Sequence, residues 1–138
     1  MPELEISTPD TQAVQQRYFA AWEARDPDAI AALHTDDSVV WSRLGSEPVR
    51  GRDAVRQTFA ELFDRFPQLS FETNRLLFGP DFWVFDWVLK FVPEGAADPV
   101  GFDAVDVVQL SPEGLVARKD TFIDYVQAQA AVGTAVAA

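Results

Sequence analysis

The chain has 138 residues, 48% of them apolar, and a formal net charge of −11. That length and composition suit one globular domain with its own core and exclude a disordered chain. The negative charge repels a phosphate backbone and an anionic bilayer alike, so neither nucleic acid nor a membrane is an expected partner. There is no cysteine, which excludes disulfides and thiol catalysis. With one histidine, a multi-histidine metal site is excluded too, and no metal or other cofactor is expected. The opening MPELEISTPD is acidic and unlike a signal peptide, and the longest apolar run, Phe82 to Val92, is interrupted by Asp86 and Lys90. A soluble, cytoplasmic protein is the expectation.

In chain order, residues 1–8 are expected to be a loose arm. Thr8-Pro9-Asp10 signals a helix start. From Thr11 to Ala24, apolar residues at Ala13, Val14, Tyr18, Phe19, Ala21 and Trp22 have helical spacing. Arg25-Asp26-Pro27 ends that helix, because the residue before proline resists the helical region. Asp26 can cap a second, short helix over Pro27–Leu33. Thr35-Asp36-Asp37 reads as a turn, Ser38–Leu44 as a strand, and Gly45-Ser46-Glu47-Pro48 as another turn. Gly51-Arg52-Asp53 opens a third amphipathic helix that buries Val55, Phe59, Leu62, Phe63 and Phe66 and stops at Pro67.

Four strands are predicted next, Leu69–Phe78, Phe82–Val92, Phe102–Leu110 and Leu115–Asp124, separated by Gly- and Pro-bearing turns. Helices first and a meander after them give an α+β layout with the helices on one sheet face. The whole chain, 1–138, is read as one domain. Tyr125–Ala138 is alanine-rich, adding a short helix or fraying, with about 128–138 as a loose end. In the second of these strands, Trp83, Phe85, Trp87, Leu89 and Phe91 form one face, and Phe82, Val84, Asp86, Val88 and Lys90 the other. Both are largely apolar, so both are expected to be covered, the outer one by a second copy in a homodimer.

Residues 13–53 resemble the ketosteroid isomerases, within the nuclear-transport-factor-2-like (NTF2-like) group that includes the SnoaL-like polyketide cyclases. The matching residues are Ala13-Val14, Gln16-Arg17-Tyr18 and Ala20-Ala21, then Asp26, Asp28, Ile30 and Ala32-Leu33, then Asp36-Asp37 and Val40. The strongest match is Gly45-Ser46-Glu47-Pro48 followed by Gly51. The resemblance implies a cone-shaped, cystatin-like fold: a curved antiparallel sheet wrapped around the N-terminal helices to enclose an apolar pocket.

It also implies a chemistry. In the isomerases a carboxylate base moves a proton beside a carbonyl, while a tyrosine and a protonated aspartate donate hydrogen bonds to the oxygen as it gains charge. The tyrosine matches Tyr18 and the aspartate matches Asp106. Asp106 shares a strand face with Phe102, Ala104, Val108 and Leu110, so it should point into the pocket, where burial raises a carboxyl pKa. The base position falls on Ser42, which cannot act as a carboxylate. Steroid isomerisation is therefore expected to be absent or very weak.

Aromatic positions supporting the tyrosine match His34 and Phe59. His34 either bonds the Tyr18 hydroxyl or is a half-exposed residue at a helix end. Lys119, in register with Thr121 and Ile123, either pairs with Asp106 inside the pocket or reaches out at its rim. Phe63, Trp83 and Trp87 are expected in the pocket wall as well as the core. Asp86, Asp103 and Asp120 alternate to the opposite face. The ending Asp120-Thr121-Phe122-Ile123-Asp124 also resembles the limonene-type epoxide hydrolases, which need an Asp–Arg–Asp set. Thr121 and Val84 stand where two of those three should be, so that activity is not expected.

Three function classes follow. One is a SnoaL-like isomerase, cyclase or lyase acting through the Tyr18–Asp106 donor pair on a small apolar molecule with a carbonyl or hydroxyl group. Another is a non-catalytic module binding the same kind of ligand, favoured by Ser42. The third is a protein-interaction domain, which nothing in the chain marks beyond the expected dimer face.

Overall fold

The computed structural model describes residues 10–43 and 46–137, so the expected loose arm, the Leu44 end of the expected strand and Gly45 of the turn lie outside the described residues. The elements are α1 Thr11–Glu23, α2 Pro27–Ala32, β1 His34–Ser42, β2 Val49–Arg50, α3 Arg52–Arg65, β3 Ser70–Phe78, β4 Phe82–Phe91, β5 Val100–Leu110, β6 Val116–Ile123 and α4 Tyr125–Ala137. No helix among the described residues is long and apolar enough to cross a membrane.

Local chemistry sets the helix starts. Asp10 caps α1 by accepting from the Ala13 N–H at 3.2 Å, and Asp26 caps α2 by accepting from Asp28 and Ala29. Asp124 does the same for α4, accepting from the Gln127 N–H at 3.0 Å. Gly51 enters α3 at φ 92°, a backbone conformation that disfavours side chains.

The strands form one curved six-stranded sheet in the order β2-β1-β6-β5-β4-β3. β3 to β6 are the expected antiparallel meander, whereas β1 runs parallel to β6. β4 alternates as read, with Trp83, Phe85, Trp87, Leu89 and Phe91 buried and the residues between them half-buried or exposed. On β5, Phe102, Ala104, Asp106, Val108 and Leu110 are all buried. α1 contributes Val14, Tyr18 and Trp22 to the same core, and α3 contributes Val55 and Phe59, with Phe66 at its C-cap. On the outer face Asp86 is held by Arg75 at 3.0 Å.

The structure corrects the sequence reading in three places. Thr35-Asp36-Asp37 is not a turn but part of β1, beside an irregularity in its pairing with β6. Asp36 and Asp37 face solvent there, and Asp36 pairs with Arg52 at 2.6 Å, so a turn-like composition sits on a bulged strand. β2 was not expected; two residues are too few to show a period. The stretch from 128, expected to be loose, continues α4 to Ala137 and is packed at its start. Ala128 and Ala131 are buried, and Gln127 clips α4 to β5 by accepting from the Asp103 N–H at 2.8 Å and donating to the Asp103 carboxylate at 3.1 Å.

Candidate functional site

The concave face of the sheet, α1, α3 and α4 enclose a cavity of about 200 Å³. Strand register lays its floor out in rows. Val40, Lys119, Val108 and Trp83 are successive cross-strand partners, and so are Ser42, Thr121, Asp106 and Phe85. Lys119 and Asp106 are thus diagonal neighbours on β6 and β5, within reach of a long side chain.

The polar cluster in this apolar space is small. The Lys119 ammonium lies 3.8 Å from the Asp106 carboxylate and 4.2 Å from the centre of the Trp22 ring. Tyr18 and Phe59 complete an aromatic box around it, at 5.3 and 5.5 Å from their ring centres. The Thr121 hydroxyl donates to the other Asp106 oxygen at 2.8 Å. The Tyr18 hydroxyl shares a 2.8 Å hydrogen bond with His34 Nε2, and His34 Nδ1 stands 3.3 Å from the Ser38 hydroxyl. Tyr18 and Asp106 both border Lys119, and both are buried.

Burial dominates the electrostatics. It pushes the Asp106 carboxyl above the ordinary carboxylate range, against the opposing pull of Lys119 and of the Thr121 hydroxyl. It pushes the Tyr18 phenol up as well, again with Lys119 opposing. For His34, burial and then the nearby Lys119 and Arg52 cations bring the imidazole down to about 3, so the ring is neutral at physiological pH. A neutral ring has one donor and one acceptor nitrogen, which matches one hydroxyl on each side.

Of the residues singled out in the sequence, Tyr18, Ser42, Phe59, Trp83, Trp87, Asp106, Lys119 and Thr121 line the cavity. His34 and Phe63 do not. His34 is fully buried behind Tyr18, at the start of β1 rather than at a helix end, and it contacts the phenol instead of the space. On α3 the lining residues Thr58, Phe59, Leu62, Arg65 and Phe66 centre on Leu62, and Phe63 is turned roughly 100° from that centre. It packs against Trp22 instead. Sequence reasoning missed Trp22, Gln15 and Phe71 as lining residues. Trp22 was findable, because it lies one helical turn after Tyr18 on the same face. The buried indole N–H groups of Trp22 and Trp87 sit in the cavity wall beside the Tyr18 hydroxyl and the Asp106 carboxyl, and act on them as donors.

Asp120 faces away from the cavity. Arg43 holds it at 2.9 and 3.1 Å and Arg118 at 2.7 and 3.0 Å. Val84 is on the outer face of β4, so an Asp–Arg–Asp set for opening epoxides is not assembled here. No group of three or more His, Asp or Glu among the described residues could hold a metal ion.

A curved sheet closed by helices over one apolar cavity defines the cone-shaped NTF2-like, ketosteroid isomerase-like class. Residues 15–119 match the SnoaL-like domain model, and the chain belongs to that family. Solved structures agree in fold. A Shewanella putrefaciens CN-32 protein described as a SnoaL-like polyketide cyclase is 16% identical with a TM-score of 0.79, covering 96% of this chain and 90% of that one. A protein with a ketosteroid isomerase-like fold from Catenulispora acidiphila DSM 44928, in complex with trimethylamine, is 15% identical with a TM-score of 0.75, covering 91% and 94%. SalBIII, an epoxide hydrolase/cyclase-like enzyme described in pyran ring formation in the polyether salinomycin, is 21% identical with a TM-score of 0.73, covering 85% and 92%.

Proposed function

We propose that the cavity binds a small, mostly apolar organic molecule through one carbonyl or hydroxyl oxygen, and that Tyr18, Asp106 and Lys119 polarise that oxygen in an isomerase-, cyclase- or lyase-type reaction. The observation that carries this reading is a buried ammonium, carboxyl and phenol gathered at the wall of an otherwise greasy space. Uncompensated burial of such groups costs several kcal/mol, roughly 2–7 for a neutral polar group and more for a charge, so a fold keeps them where a ligand uses them. At about 200 Å³ the cavity is smaller than the roughly 300–1,000 Å³ typical of drug-sized sites, which suits a one- or two-ring compound.

Quenching of tryptophan emission by a panel of small cyclic ketones and alcohols tests binding, since Trp22, Trp83 and Trp87 line the cavity. Turnover of any hit should be abolished by Tyr18→Phe combined with Asp106→Asn. Unaltered turnover in that double variant removes the catalytic reading. A second reading, binding without chemistry, is favoured by Ser42, which puts a hydroxyl where the family's base would stand. It predicts saturable quenching with no product.

The outer sheet face is assigned to a second copy of the chain, because Phe82 and Phe122 are exposed there beside half-buried valines. Sedimentation of a monomer at micromolar concentration would remove the dimer. A cytoplasmic setting is part of the same proposal.

A further inference from the structure

We propose that Lys119 forms a Schiff base with the carbonyl carbon of a small apolar aldehyde or ketone held in the cavity. This deepens the reading above and rests on it for the ligand's presence. Three observations carry it. First, Lys119 is more than nine-tenths buried yet lines the cavity, so a molecule in the cavity meets this side chain inside the protein rather than at its surface. Second, its contact with Asp106 is unlike the chain's structural ion pairs. Arg43 and Arg118 grip Asp120 at 2.7–3.1 Å, whereas 3.8 Å is longer than a charge-assisted hydrogen bond. The ring centres of Trp22, Tyr18 and Phe59 stand 4.2, 5.3 and 5.5 Å from the amine, so its neighbours on that side are mostly aromatic faces.

Third, the residue type fits. The chain has 11 lysines and arginines, and the lysines are Lys90 and Lys119. A guanidinium at position 119 would fork onto Asp106 and could never be a nucleophile; an amine can lose its proton and attack carbon. Asp106, whose carboxyl burial favours the neutral form, is placed to take that proton.

The step balances without an oxidant or reductant. The Lys119 proton passes to Asp106, and the free amine's lone pair forms a C–N bond to the carbonyl carbon. The carbonyl π pair moves to oxygen, and proton transfer from the attacking nitrogen gives a neutral carbinolamine. Asp106 then returns its proton to the leaving hydroxyl, the C–O bond breaks, and the nitrogen lone pair closes the C=N bond as water departs. The remaining N–H proton goes back to the carboxylate, so amine and carbonyl give imine and water.

The test uses the full chain with benzaldehyde and sodium cyanoborohydride at neutral pH, read by intact mass and peptide mapping. Lys90, exposed and paired with Glu72, is the internal control. The expected result is a benzyl group on Lys119 formed at least about tenfold faster than on Lys90, with peptide mapping separating both from any α-amine adduct. Lys119→Arg, which keeps a cation beside Asp106, and Lys119→Met, which keeps the bulk, should both lose the fast adduct while retaining native circular dichroism. Benzyl alcohol, which has no electrophilic carbon, separates the two ideas through tryptophan quenching. Saturable quenching with adduct rates equal at both lysines overturns the Schiff base and leaves the binding reading standing. No saturable quenching by either compound overturns both.

Discussion

Acidification should leave the His34 ring neutral long after an ordinary histidine has taken up a proton. Burial, Lys119 and Arg52 together bring its pKa from 6.5 to about 3. Between those two values the unfolded chain binds a proton that the folded chain refuses, so stability falls as pH falls through that window. Above about 6.5 and below about 3 this contribution is flat. At about 1.4 kcal/mol per pH unit, the loss reaches about 2 kcal/mol by pH 5 and at most about 5 kcal/mol over the window. That upper figure is as large as the whole stability of some domains, roughly 5–15 kcal/mol, so acid unfolding should precede ring protonation. Asp106 acts in the opposite sense. Its raised carboxyl binds a proton first in the folded state and gains stability as pH falls through its range. The comparison that isolates His34 is therefore wild type against His34→Gln in urea melts from pH 8 to pH 5, where the variant should lose the histidine slope. Because the chain has one histidine, its ring resonances in NMR are unambiguous. A ring titrating near 6.5 in the folded protein, or identical slopes in the two proteins, would refute the reasoning.

Other expectations are as direct. Tyr18→Phe removes the hydroxyl bonded to His34 Nε2 and should cost about 1–3 kcal/mol in chemical denaturation, as a buried ring nitrogen loses its partner. Asp106→Ala should cost about 1–3 kcal/mol by leaving the half-buried Thr121 hydroxyl without its acceptor, and Asp106→Asn, which keeps an acceptor there, clearly less; equal costs would sink the Thr121 contact. Gly101→Ala would put a Cβ 2.6 Å from the Leu89 carbonyl oxygen, so a melting shift equivalent to about 1–3 kcal/mol is expected. Steroid isomerase turnover should be at or near background, since Ser42 supplies no carboxylate; a rate in the isomerase family's normal range contradicts that.

Period-two patterns made the sheet legible. The alternation of Trp83, Phe85 and Trp87 and of Ala104, Asp106 and Val108 fixed which side chains face inward, and Tyr18 followed from the α1 stripe. What stayed hidden depends on distant partners. Nothing local distinguishes a Thr-Asp-Asp turn from a bulged strand until β6 lies beside it, and His34 moved from a helix end to a buried strand start for that reason. Phe59 and Phe63 both belong to an apolar stripe, and which of them meets the cavity depends on how α3 is rotated against Trp22. Whether Lys119 reached outward or inward turned on the aromatic box, assembled from α1, α3 and β6.

The parallel seam between β1 and β6 has a consequence for biosynthesis. Val40 and Lys119 are partners across one ladder, yet most of the chain is translated between them. Closing so long a loop has to precede any reward from the contact, which slows assembly. While the last strand is still inside the ribosome, the front wall has no edge to dock on. The cavity therefore cannot close until β6 has emerged, and until then a nascent chain exposes the Trp22 indole that will later face the lysine. Apolar surface exposed in that way favours aggregation until the sheet closes.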